Sequence, residues 1–271
     1  MIIDQRTDLY GVLGFPLSQT LSPIMHNTAF EVTGVNAIYM AFEARDIEGC
    51  LKGVRTLGIK GMSVTLPHKS SVIPLLDEVD DLAKKIGAVN TIVNKGGHLV
   101  GYNTDAIGAL KALEEKVELS GKTCLIIGAG GAARAIGFIL KKNGVEVKVA
   151  NRSTERGRAL AHSLTCPFIQ MDQLENIEAD LLIHTTPVGM IPYNHQCVVP
   201  EYMLKKGMVV MDIIYNPIET RLLTMARARW CLTINGLGMF IHQGAEQFRL
   251  WTGINPPINA MKRAVKEALT K

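Results

Sequence analysis

No stretch of this sequence approaches the roughly 18 consecutive apolar residues that a membrane-spanning helix needs. The first ten residues, MIIDQRTDLY, carry charges where a signal peptide would need an apolar segment, so a cytoplasmic location and no membrane partner are expected. Dense Lys/Arg blocks are missing too. A net charge of +4 is spread along 271 residues, which argues against a nucleic-acid partner. The five cysteines (Cys50, Cys124, Cys166, Cys197 and Cys231) are odd in number, scattered and without C-x-x-C spacing. Neither a disulfide framework nor a zinc site follows from them, and buried free thiols are the expectation. The seven histidines make no H-E-x-x-H or comparable pair, so no metal is expected.

What is present is the balance of an ordinary globular protein, with 47% hydrophobic and 20% charged residues. The length suits two domains, each with its own core, and two domains make a cleft possible. In the first hundred residues short apolar runs (LYGVLG, AIYMAF, IKGMSVT) alternate with helical stretches (SPIMHNTAFEVTG, ARDIEGCLKGVRTLG). That alternation predicts βαβ units and a mostly parallel sheet. Ser22 before Pro23 reads as a helix N-cap. Two apolar runs around Gly96-Gly97 predict a hairpin that closes the first unit. NTDAIGALKALEEKV then reads as a connecting helix, with Thr104 as its N-cap and Ile107, Leu110, Leu113 and Val117 on one face.

From Lys122 the pattern restarts. KTCLIIGAGGAARAIGFILKKNGVEVKVANR holds an apolar strand, a glycine turn, a helix with Ala132, Ile136, Ile139 and Leu140 on one face, an Asn143-Gly144 turn and a second strand. Gly128, Gly130 and Ala133 fit G-x-G-x-x-G/A. The first permits a tight turn, the second lets backbone N–H groups approach a pyrophosphate, and the last lets helix pack on strand. The six letters alone are weak; placed between a strand and a helix they predict a dinucleotide site over Gly128, Ala129, Gly130, Gly131 and Ala132. Where an NAD-binding chain would place an acid for the ribose 2′-hydroxyl, this one has Asn151, Arg152, Ser153 and Arg156. A carboxylate would repel a 2′-phosphate and a guanidinium pairs with it, so NADP(H) is the expected cofactor and Arg152, next to the strand end, its main partner. Further strands at ADLLIHTT, GMVVMDII and CLTIN complete an α/β class of chain: an N-terminal α/β domain and a Rossmann-type doubly wound domain. The C-terminal helices return to the first. The expected boundaries are 1–103 with 238–271 and 104–237.

Eight short motifs, in this order, resemble those of the shikimate dehydrogenase family. They are TLSPIMHN (20–27), SVTLPHK (63–69), GAVNT (87–91), GYNTDAIG (101–108), GAGGAARA (128–135), TTPVGM (185–190), DIIYNPIET (212–220) and NGLGMFIHQGAEQF (235–248). The resemblance implies NADPH-dependent reduction of 3-dehydroshikimate to shikimate, on the route to chorismate and the aromatic amino acids, by a monomer or homodimer. It also implies that Lys69 and Asp105 sit together at the substrate. Ketone reduction needs a proton at oxygen as well as a hydride at carbon, so a general acid must be within hydrogen-bond reach. By the same resemblance Thr20 and Ser22 hold the substrate carboxylate. Thr65, Asn90, Asn103, Asp105, Tyr215 and Gln243 meet its ring hydroxyls, and Ile213, Gly236 and Met239 wall the nicotinamide. Asp81 matches a position sometimes assigned to the cofactor. Three positions depart from the family pattern: Thr20 stands for a serine, His184 for an asparagine before TTPVGM, and Trp230 for a glycine that ends a helix. Two other functions stay open on the sequence: a dual quinate/shikimate dehydrogenase, and a non-catalytic relative that senses the metabolite.

Overall fold

In the computed structural model, which describes residues 3–270, the apolar runs before residue 103 pair into one sheet and those after residue 122 into another. The chain divides into two units, one formed by the residues up to Ile107 and from Ile241 onward, the other by Gly108–Phe240.

The first unit is built from β1 (Asp8–Gly14), α1 (Ser22–Thr33), β2 (Ala37–Glu43), α2 (Ile47–Thr56), β3 (Gly61–Val64), β4 (Glu78–Val79), α3 (Asp81–Ile86), β5 (Thr91–Lys95) and β6 (His98–Tyr102). Its strands lie in the order β2-β1-β3-β5-β6-β4. The outer pairings are parallel, but β5 runs antiparallel to both β3 and β6. The cause is local: Lys95 faces His98 across the Gly96-Gly97 turn, and a two-residue turn joins only antiparallel strands. Leu13, Val54, Met62, Ile92 and Leu99 are buried in the core of this unit. The cap of α1 departs from the sequence expectation. The cap position is Leu21, without a side-chain bond, and Ser22 is already helical, in the turn that Pro23 opens.

The helix α4 (Asp105–Glu114) carries the chain from the first unit into the second. Asn103, not Thr104, serves its first turn: Asn103 Oδ1 accepts the Ala106 N–H at 3.2 Å. The Thr104 hydroxyl turns instead toward Asn90 and Thr91. The helix ends before Val117, and its fully buried face is Ala106, Ala109, Ala112 and Leu113.

The second unit continues with β7 (Thr123–Ile127), α5 (Gly131–Lys142), β8 (Glu146–Ala150), α6 (Thr154–Leu164), β9 (Phe168–Ile169), β10 (Leu181–His184), β11 (Val209–Asp212), α7 (Arg221–Ala228) and β12 (Leu232–Ile234). All its strands are parallel, in the order β12-β11-β10-β7-β8-β9. The order reverses between β7 and β10, and in open α/β sheets such a switch point opens a crevice beyond the strand ends. The apolar face of α5 runs through Ala133, Ile136, Ile139 and Leu140; Ala132, expected on it, is only half-buried. Burying a side chain the size of Ile136 or Leu140 contributes about 1.5–3 kcal/mol. The chain then leaves this unit through α8 (Gly236–Thr252), and α9 (Ile258–Leu269) packs on α1.

The end of α7 shows how a tryptophan replaces the helix-ending glycine. Trp230 N–H bonds Arg227 O and Cys231 N–H bonds Ala226 O, the two reversed bonds of a Schellman motif, with Trp230 in the left-handed region at φ 61°. Its side chain is 78% exposed, so the strained backbone brings little packing in return. Trp230→Gly should stabilise the unit by about 0.5–1 kcal/mol, since glycine lacks the Cβ that clashes in this conformation. Thermal unfolding checks this, with Trp230→Ala, which keeps the Cβ, as a control that fails to rise.

Candidate functional site

Lys69 follows β3 in a tight segment whose backbone is fixed from three sides. Thr65 N–H bonds Leu13 O, His68 N–H bonds Thr65 O, and Val89 N–H bonds Lys69 O. The buried His68 ring adds a 2.7 Å bond from Nε2 to Ala44 O. The side chain that emerges reaches Asp105, the first residue of α4, with Nζ 2.5 Å from Oδ2. The other carboxylate oxygen accepts Asn90 Nδ2–H at 2.9 Å. The Lys69 side chain is 16% exposed and that of Asp105 is 7% exposed, so the pair is largely shielded from water. A lysine and an acid 36 positions apart in sequence thus form one charged unit with a defined donor direction.

Asn90 is the hinge of this arrangement. Its Nδ2 lies within bonding distance of Asp105 Oδ1, Thr104 Oγ1 and Gln243 Oε1, at 2.9, 3.0 and 3.4 Å. Its Oδ1 accepts from Thr91 Oγ1 and from the Thr104 N–H. Behind it stands a residue for which the sequence reading had no role. Gln247 is 2% exposed. Its Nε2 donates to Asn90 O and to Thr91 Oγ1, both at 3.1 Å, and its Oε1 accepts from Ser63 Oγ at 2.9 Å and from His26 Nε2 at 3.3 Å. Ser63 Oγ in turn accepts from Tyr39 OH at 2.6 Å. Burial pushes the His26 imidazole down to about 3, against the opposing pull of Gln247, so the ring is neutral where it stacks on Tyr39. A continuous thread of buried polar groups therefore runs from Tyr39 to Asp105. Each bond in it fixes the next, because an unpaired member would carry a desolvation cost of about 1–3 kcal/mol. The signal was available: Gln247 stands one helical turn after Gln243, on the same face of α8.

The remaining substrate candidates fall into two groups. In the first unit, Thr20 is half-buried and its Oγ1 accepts the Ser22 N–H at 3.4 Å, Ser22 is 8% exposed, and Thr65 is half-buried. Asn103 is 3% exposed, and both ends of its amide are used inside the unit, on Ala88 O and on the Ala106 N–H. Tyr215 belongs to the second unit, where its ring stacks on Phe240 with centroids 4.3 Å apart. Asp81 opens α3 in the first unit, with an 89% exposed side chain 3.7 Å from Lys84, whereas every other cofactor candidate lies in the second.

The second unit presents features that fit a phosphorylated dinucleotide. Gly128 adopts φ 124°, and a Cβ there would stand 2.2 Å from Thr185 Oγ1, so only glycine lets β7 turn at the switch point. The helix α5 begins after Gly130 with no side-chain cap, and a Cβ added on Gly130 would meet nothing within 4 Å; the first N–H groups of a helix have no partner within it and suit an anion. Beyond β8, Asn151 Nδ2 donates to Ser153 O, and Ser153 Oγ accepts the Arg156 N–H as the cap of α6. Arg152 is exposed and lines an open groove of about 560 Å³ together with Val188, His195, Arg221 and Met225. Gly236 N–H bonds Ile214 O at 3.0 Å, and a Cβ on Gly236 would meet Ile213 O at 2.0 Å. Ile213, Gly236 and the buried Met239 therefore form one close-packed corner. Among the described residues no helix is long and apolar enough to cross a membrane.

Three family models match successive parts of the chain. They are the shikimate dehydrogenase substrate binding domain over residues 12–92, shikimate / quinate 5-dehydrogenase over 110–227, and the shikimate 5'-dehydrogenase C-terminal domain over 236–266. A shikimate dehydrogenase (NADP(+)) from Thermococcus kodakarensis is 45% identical, with 99% of each chain covered. Among solved structures, a shikimate dehydrogenase in complex with NADP+ superposes with a TM-score of 0.95 at 42% identity, covering 100% of this chain and 98% of the other. The enzyme from Thermus thermophilus, in complex with NADP(H) and shikimate, gives 0.90 at 38% identity, covering 97% and 100%.

Proposed function

The chain belongs to the shikimate dehydrogenase family, and on that premise we propose that it reduces 3-dehydroshikimate reversibly to shikimate with NADPH, on the route to chorismate and the aromatic amino acids. The bound NADPH supplies the hydride. What this chain must then supply is a proton at the ketone oxygen, because an unprotonated alkoxide is a high-energy product. Lys69 donates it, and Asp105 holds the ammonium in the donating direction and stabilises its charge until the proton leaves. The Lys69 side chain is not fully buried, and reprotonation from solvent completes the cycle. The observation that carries this reading is the 2.5 Å contact between Lys69 and Asp105, steadied from behind by Asn90.

The substrate is a carboxylate with several hydroxyls, and a polar site built for it rejects analogues that leave buried groups unpaired. Thr20 and Ser22 take the carboxylate, while Thr65, Asn90, Tyr215 and Gln243 meet the ring hydroxyls. Asn103 acts one step back, as the cap that sets the start of α4 and with it Asp105. On the cofactor side Gly128, Ala129, Gly130, Gly131 and Ala132 offer backbone N–H groups to the pyrophosphate. Asn151, Arg152, Ser153 and Arg156 surround the 2′-phosphate, with Arg152 foremost.

Loss of NADPH absorbance on addition of 3-dehydroshikimate tests the proposal. Turnover with NADPH and 3-dehydroshikimate that exceeds turnover with NADH or with the quinate-series ketone is the expected result. Binding of the metabolite without NADPH oxidation would make the chain a sensor and end the enzymatic reading.

A further inference from the structure

The last residues of β10 and β11, His184 and Asp212, are neighbours in the parallel register, and both are buried, 2% and 1% exposed. Their side chains are bonded: His184 Nδ1 lies 3.0 Å from Asp212 Oδ1. The opposite ring nitrogen, Nε2, is 2.5 Å from Thr186 Oγ1, which also accepts the Val188 N–H at 3.3 Å. Every bond is satisfied with the ring proton on Nδ1: the imidazole donates to Asp212 and accepts from the Thr186 hydroxyl. Asp212 is equally engaged. Oδ1 accepts a second bond from the Ile214 N–H at 3.2 Å, and Oδ2 accepts from Thr220 Oγ1 at 2.7 Å, the hydroxyl that caps α7. One imidazole thus joins the turn after β10 to the turn after β11. From Ile214 the line of bonds continues to Gly236, whose N–H holds Ile214 O and whose missing Cβ leaves room for Ile213 O.

We propose that His184 is a positioning residue for the hydride-transfer step: acting through Asp212, it sets the corner of Ile213, Gly236 and Met239. This rests on the assignment of that corner to the nicotinamide under the proposed function. Among the described residues the side-chain bonds of His184 go to Asp212 and Thr186, at the ends of β11 and β10, while the groups proposed for the phosphates follow β7 and β8. Loosening the corner therefore misplaces the reacting ring without releasing the rest of the cofactor. Small misplacements of reacting groups cost rate far more than affinity.

Two side chains separate the two bonds. In His184→Asn the amide nitrogen takes the place of Nδ1 and keeps the bond to Asp212. In His184→Gln it takes the place of Nε2 and reaches only Thr186. The expected result is that His184→Gln lowers kcat about tenfold with the NADPH KM within about threefold of wild type, whereas His184→Asn stays within about threefold in both. A merely structural role would not produce this split between rate and KM, or the rescue by asparagine. Should the glutamine variant fail to fold, Asp212→Ala removes the acceptor at the other end of the same bond and should give the same split. Wild-type kcat in His184→Gln, a loss confined to KM, or an asparagine variant as slow as the glutamine one would each overturn the proposal. A wild-type protein inactive with NADPH and 3-dehydroshikimate would instead show that the proposed function itself is wrong.

Discussion

Lys69→Ala lowers kcat by about 10²- to 10⁴-fold, the usual worth of a general acid. The loss appears in kcat and in kcat/KM together, because the proton is transferred only in the transition state. Water can replace the ammonium as a proton source, but it is neither held nor charged, and that is why activity falls without vanishing. The removed side chain gives up its bond to Asp105 and leaves the backbone bonds around it in place. Its backbone carbonyl keeps the Val89 N–H, and Asp105 keeps Asn90. Removing one member of a shielded ion pair does uncover the charge of the other, so the variant is checked by NADPH titration, since the cofactor groups of the second unit are untouched. A folded variant that binds NADPH and turns over within a few-fold of wild type would remove Lys69 from the mechanism.

Arg152→Ala raises the KM for NADPH by roughly 10- to 100-fold and changes that for NADH by less than about threefold. The range follows from charge-assisted hydrogen bonds worth about 1.5–3 kcal/mol. NADH lacks the 2′-phosphate, so it never makes that contact and has nothing to lose. Arg152 stands two residues past the end of β8, exposed on the rim of an open groove, and its loss leaves the Ser153 cap of α6 in place. Steady-state kinetics with both cofactors decide the matter. Equal effects on the two would show that the arginine serves something other than the phosphate.

How far these sites could be seen in the sequence depended on whether the information was local. The glycine turn between β7 and α5 is written in adjacent residues, because strand, turn and helix each impose their own pattern within about 30 positions. The absence of an acid beside Arg152 is local as well. The contact between Lys69 and Asp105 is not: composition makes each an ordinary surface charge, and only the family resemblance placed them together. The thread through Gln247 escaped notice because a glutamine on a helix reads as a solvated face until the packing of α8 shows which way it points. The caps failed for a related reason. Ser22 and Thr104 are good capping residues in isolation, but Pro23 moved the helix start and Asn90 claimed the Thr104 hydroxyl. The antiparallel pairing of β5 with β6 was announced by the Gly96-Gly97 turn, because a two-residue turn is local information, and it sits within a sheet whose other pairings are mostly parallel.

The buried thread from Tyr39 to Asp105 shapes how new substrate preferences can arise on this scaffold. Its members are interlocked, so an exchange at Ser63, Thr91 or Gln247 travels through Asn90 to the acid itself. Thr20 stands outside it, half-exposed, with its hydroxyl on the Ser22 N–H. Drift toward differently decorated carboxylic acids is therefore open at the rim, where exchanges are independent of one another. The proton-handling pair, by contrast, is inherited as a block.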